Sequence, residues 1–114
     1  MFKRGDVVLV LFPDSNLRTA ERRPALVVMA DDLDTKLPQT IVAMITSNME
    51  RGPHASRVTV KKTSDTGKKA GLLTDSVIMT DNLATVQHRE IDRRIGHFQQ
   101  MQSIDNALRQ TFAL

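Results

Sequence analysis

Three polar groups stand at the ends of apolar runs and could act together: Arg23, Thr46 and Asp81. Arg23 lies between Arg22 and Pro24, just ahead of Ala25-Leu26-Val27-Val28. Proline holds its own φ at about −65° and biases the residue before it towards an extended backbone. That predicts a guanidinium fixed at the mouth of a buried strand, where gripping a phosphate costs less freedom than on a loop. Thr46 closes the run Ile41–Ile45, and Asp81 follows Ser76–Thr80. Each has a plainer reading: a solvated Arg-Arg pair, a turn hydroxyl, a turn acid beside Asn82. As a set they suit the attack of an RNA 2′-hydroxyl on its own phosphodiester. A carboxylate can take the proton, a guanidinium can bind two phosphate oxygens, and a hydroxyl can donate to a third, with no metal or cofactor.

Other chemistries find less support. His54, His88 and His97 fall on charged or loop-like stretches, and neither HxxxH nor HExxH spacing occurs, so each reads as a surface histidine. Asp31-Asp32-Leu33-Asp34 lacks the EF-hand pattern and reads as the acidic start of a helical turn. Thr66-Gly67-Lys68-Lys69 has neither the preceding glycine nor the following hydroxyl of a phosphate loop. Cysteine is absent, which removes disulfides and thiolate metal sites and agrees with a reducing cytoplasm.

The 114 residues suit one domain, residues 1–114, and 40% hydrophobic with 25% charged residues suits a globular chain. Val7–Phe12 is too short for a signal peptide's apolar core or a membrane span. The net charge of +3 leans mildly towards nucleic acid. All four aromatic residues are phenylalanines, too few for a platform that stacks successive bases, so nucleic-acid contact should run through charge and hydrogen bonds.

The elements that must position these groups follow from pattern. Asp6–Phe12, Ala25–Met29 and Gln39–Ser47 read as strands, the first continuously apolar as if buried on both faces. Asp14–Arg22 between the first two reads as a polar loop. Arg57–Val60 alternates like a half-exposed strand, and Lys61–Gly71 reads as a turn-rich basic segment. Ser76–Thr80 and Ala84–Val86 read as two extended pieces around Asp81-Asn82. Ile91 and Ile95, four apart, suggest a short helical turn over Gln87–Arg94, broken by Gly96-His97-Phe98. Ile104, Leu108 and Phe112 recur at helical spacing within Gln99–Leu114. Several short strands before one terminal helix imply a mainly β (α+β) fold, a small twisted sheet or barrel under a helix.

Lys3-Arg4-Gly5-Asp6-Val7-Val8, Arg23-Pro24-Ala25-Leu26-Val27-Val28 and Ile45-Thr46-Ser47, followed in order by Asp75-Ser76-Val77-Ile78, Asp81, Thr85-Val86 and Ile104–Leu108, resemble the MazF/PemK family of bacterial toxins across nearly the whole chain. The resemblance implies an SH3-like barrel with a C-terminal helix, acting as a homodimer. It implies a metal-independent endoribonuclease that cuts single-stranded RNA to 2′,3′-cyclic phosphate and 5′-hydroxyl ends, and a MazE-like antitoxin that blocks the RNA groove. By position, Arg23 and Thr46 match the family's catalytic pair, and Asp81 an acidic position used in some members. Departures occur at Met79 and Ala84, where members carry arginines, and in Leu17–Arg22. Arg18 and Arg22 are the candidates to supply phosphate-binding charge, with Ser47 beside them. The alternative from another class is a CcdB-type toxin, which has the same barrel but binds gyrase without hydrolysing anything.

Overall fold

A computed structural model describes residues 2–13 and 20–114. Six strands form one antiparallel sheet: β1 (Asp6–Pro13), β2 (Ala20–Val27), β3 (Gln39–Thr46), β4 (Arg57–Val60), β5 (Ser76–Gln87) and β6 (Ile91–His97), in the order β4-β5-β3-β2-β1-β6. Two helices accompany it, α1 (Asp65–Lys69) and α2 (Met101–Phe112). The mainly β class with a terminal helix is as expected. Among the described residues no ladder joins β4 to β6 to close a barrel.

The continuous apolar runs are explained by burial on both faces. Alternate residues of β1, β2 and β3 feed two separate cores. Val7, Leu26, Ala43 and Ile45 point to one, completed by Ile78, Phe98 and Ile104 of α2. Val8, Val10, Ala25, Val27, Val42 and Met44 point to the other. Val86 of β5 and Ile91 of β6 both join this second core, so the sheet bends over it without a closing ladder. Ile104 of α2 is fully buried and Leu108 partly so; in the last turn Thr111 still reaches Thr80 of β5, while Phe112 is exposed.

Four expectations need correction. β2 begins at Ala20, so Arg22 and Arg23 lie inside a strand and not at its mouth; the β1 ladder (Val10 with Arg23, Leu11 with Arg22) carries the charged stretch into the sheet. Gln87–Arg94 is not one helical turn. A short 3₁₀ turn, His88–Glu90, leads into β6, which takes the open edge of β1 and leaves Asp92, Arg93 and Arg94 exposed, as edge strands commonly do. Asp31–Asp34 forms no helix; Asp31 accepts the Arg4 N–H at 2.7 Å and Asp34 pairs with Lys36 at 2.8 Å. Within Lys61–Gly71, Ser64 caps α1 by accepting the Gly67 N–H at 3.0 Å.

The two extended pieces around Asp81-Asn82 are one strand with an interruption. Met44 pairs with Met79 and Ala43 with Leu83, so Thr80, Asp81 and Asn82 stand out of the ladder as a bulge.

Candidate active site

Strands β2 and β3 pair only through Ala25–Val27. Pro24 marks the point where they part, a place where a residue without an N–H does no harm to a ladder. Beyond it β2 stays with β1, while Ile45 and Thr46 of β3 continue along β5. The gap that opens between the diverging strands is a cleft of about 420 Å³. Its β2 wall carries Glu21, Arg22 and Arg23, and its β3 wall carries Thr46 and Ser47. Thr74, Ser76, Met79 and Asn82 complete the lining.

Strand alternation places Glu21 and Arg23 on one side of β2. Arg23 donates from Nη2 to Glu21 Oε2 at 2.8 Å, with both side chains more than half exposed. Arg22, on the opposite side, donates from Nε to Asp92 of β6 at 3.1 Å. The Thr46 hydroxyl accepts the Asn48 N–H at 3.1 Å and donates to no described residue, so its position is fixed while its proton can serve a ligand. Ser47 is exposed at the rim, and the Ser76 hydroxyl is committed to the Thr74 carbonyl at 2.9 Å.

Arg23, Thr46, Arg22 and Ser47 thus share one cleft. Asp81 is not part of its lining. It is instead gripped by Arg57, which donates from Nε at 3.2 Å and Nη2 at 2.7 Å to its two oxygens. That guanidinium holds the Asp81 carboxyl below its ordinary range, outweighing the opposing effect of burial. Arg18 lies outside the described residues. Glu21 is the cleft carboxylate that motif reasoning passed over. Its signal was available: an acid two residues before Arg23 shares its face if the strand extends that far back.

Among the described residues no three His, Cys, Asp or Glu side chains are grouped to hold a metal ion, and no helix is long and apolar enough to cross a membrane. The histidines have local partners: Nδ1 of His54 lies 2.7 Å from the Ser56 hydroxyl, His88 meets Phe2 edge-on at 5.6 Å, and His97 lies 3.1 Å from Asp6.

Residues 3–112 match the family described as PemK-like, MazF-like toxin of type II toxin–antitoxin system. "Endoribonuclease EndoA" of Bacillus subtilis (strain 168) is 30% identical over 115 residues, covering 98% of this chain and 95% of that protein. Among solved structures, an endoribonuclease in complex with its cognate antitoxin from mycobacterial species has a TM-score of 0.75 at 19% identity, over 100% of this chain and 97% of that one. A MazE–MazF crystal structure from Deinococcus radiodurans contains a chain with a TM-score of 0.69 at 16% identity, over 98% of this chain and 93% of that one. At those identities the structural likeness speaks for the fold.

Proposed function

The chain belongs to the PemK-like, MazF-like toxins of type II toxin–antitoxin systems, and from that premise we propose that it is an endoribonuclease that cuts single-stranded RNA with Arg23 and Thr46 as its catalytic pair. What supports the assignment of roles is that these two residues, brought from different strands, line the same cleft.

In this reading the RNA 2′-oxygen forms a bond to the adjacent phosphorus and the bond to the 5′-oxygen breaks. The 2′-hydroxyl proton goes to a base, the 5′-oxygen takes a proton from water as it leaves, and the products carry 2′,3′-cyclic phosphate and 5′-hydroxyl ends. Arg23 offers a two-pronged grip on the phosphate, and Thr46 donates to a further oxygen. Both can stabilise charge that builds up on the phosphorus-bound oxygens. An incoming phosphate competes with Glu21 for Arg23. Once displaced, the Glu21 carboxylate is the acceptor within the cleft for the 2′-hydroxyl proton. Asp81, tied to Arg57, is less suited to that role. None of these steps calls for a metal ion.

The same family membership carries two partners into the proposal: a cognate antitoxin that covers the cleft, and a second copy of the chain as homodimer. In this reading it acts on cellular RNA in the cytoplasm.

The test is incubation of the purified protein with a long single-stranded RNA in EDTA, followed by primer extension and end-group analysis. Cleavage that survives the chelator, leaves 5′-hydroxyl ends and is lost in both Arg23→Ala and Thr46→Ala is the expected result. Intact RNA together with gyrase inhibition would replace this reading with the gyrase-binding one.

A further inference from the structure

The bulge in β5 is held by more contacts than a chain irregularity needs. Thr80 is fully buried. Its N–H donates to the Ser56 carbonyl at 3.0 Å, and its hydroxyl donates to the same oxygen at 2.7 Å. The Thr111 hydroxyl of α2 lies 2.9 Å away on the other side. Asp81 receives both prongs of Arg57, whose third nitrogen, Nη1, donates to the Arg51 carbonyl at 3.1 Å. Two of the three bulge residues are therefore pinned to the 51–57 segment and the end of α2. The third, Asn82, is exposed and lines the cleft beside Arg23 and Thr46.

We propose that Arg57 is a positioning residue: by clamping Asp81 it fixes the β5 bulge, and thereby holds Asn82 where its carboxamide reads the edge of an RNA base next to the phosphate bound in the cleft. The proposal rests on the RNA-cleaving reading above. A carboxamide offers one acceptor and two donors in a plane, which suits the mixed donor and acceptor edge of a nucleobase. Such readout discriminates only if the amide cannot swing to suit a different base, because a wrong base must then leave a polar group unpaired. An unclamped three-residue bulge supplies no such rigidity. The bidentate guanidinium–carboxylate fork does, since it fixes orientation as well as distance. This also gives Asp81 a task consistent with its pairing, which lowers its readiness to accept a proton.

The experiment sequences the cut sites made by the full-length protein in a randomised single-stranded RNA pool, with kinetics on the preferred site and thermal melts alongside. Asn82→Ala should relax selection at one nucleotide position and lower kcat/KM on the preferred site about tenfold, the worth of one hydrogen bond. Arg57→Ala should relax the same position, and the double variant should lose no more than Asn82→Ala alone. Arg57→Lys, which keeps the charge and loses the fork, should fall between wild type and Arg57→Ala. If Arg57→Ala does not fold, Arg57→Lys and Asp81→Asn carry the same readout. A lower melting temperature with an unchanged cut pattern in these variants would make the clamp merely structural and overturn the proposal. Uniform loss of cleavage at all sequences in Asp81→Asn, with a flattened pH profile, would make Asp81 the base and equally overturn it. A wild-type protein that cuts no RNA sinks the underlying reading and the clamp's role with it, an outcome distinct from an unchanged cut pattern.

Discussion

Glu21 and Arg23 stand two residues apart on one side of β2 and form a 2.8 Å ion pair at the wall of the cleft that also holds Thr46. The pair is well exposed, so it adds little to stability. In the proposed reaction its importance lies in what a phosphate would do on arrival: take the guanidinium and leave a carboxylate beside the reacting group.

Removing either Arg23 or Thr46 should therefore slow the chemistry sharply without unfolding the chain. Arg23→Ala and Thr46→Ala are each expected to lower kcat by about 10²–10³, the usual cost of losing one preorganised donor to a developing oxyanion. Arg23→Lys should recover only part of this, because a point charge cannot grip two oxygens at once. Single-turnover cleavage assays measure the loss, and melts within about 0.5 kcal/mol of wild type, as for ordinary surface substitutions, confirm that the fold is intact.

Glu21→Gln separates the base from the phosphate grip. The amide can still sit beside Arg23 but accepts no proton. kcat should fall by about 10²–10⁴, the range for general base catalysis, while RNA binding stays close to wild type. A Glu21→Gln protein with the wild-type kcat would move the base elsewhere.

Arg22 and Arg18 are expected to bind backbone phosphate away from the reacting group. Each phosphate contact on a single strand contributes about −0.7 to the slope of log K against log salt. Arg22→Ala should reduce the slope by that amount, and so should Arg18→Ala, with kcat little changed. Titrations of labelled RNA at several salt concentrations decide it; an unchanged slope removes the residue from the RNA path.

Asp6 gives the fold an acid-sensitive point. Its side chain is almost fully enclosed and accepts the Lys3 N–H at 2.9 Å, with Arg94 Nε at 3.0 Å and the His97 ring at 3.1 Å. Burial pulls its pKa up, but these partners outweigh that and hold it below the ordinary value of 3.8. A carboxyl with a lowered folded pKa stabilises fully above its unfolded value, and that stability is lost as pH falls through the folded value. Asp6→Asn should cost about 1–3 kcal/mol near neutrality, as for a lost charged hydrogen bond, and the gap from wild type should close below pH 3.8. Denaturation at neutral and acid pH tests both halves.

The local pattern of the chain was enough for much of this. Val7–Phe12, Ala25–Met29 and Ile41–Ile45 are apolar without a break, and that alone pointed to burial on both faces or a barrel. The 3.6-residue recurrence of Ile104 and Leu108 required α2, although Phe112, a turn further on, is out in solvent. Arg23-Pro24 and Ile45-Thr46-Ser47 were legible as the carriers of the family resemblance because each is a short contiguous motif. β6 was not legible: three consecutive charged residues hide a strand whose place is set by the unpaired edge of β1, far away in sequence.

What the amino-acid order determined by itself is therefore the set of apolar stripes, the terminal helix and the two short motifs that contain Arg23 and Thr46, since each depends on residues within a few positions of one another. Tertiary structure alone decided which charges distant in sequence meet. Arg57 is 24 residues from Asp81, and Arg22 is 70 from Asp92. No local periodicity encodes such pairs. They exist because the sheet brings distant strands side by side, and the same docking that opened a cleft for Arg23 and Thr46 tied Asp81 to Arg57 outside its lining.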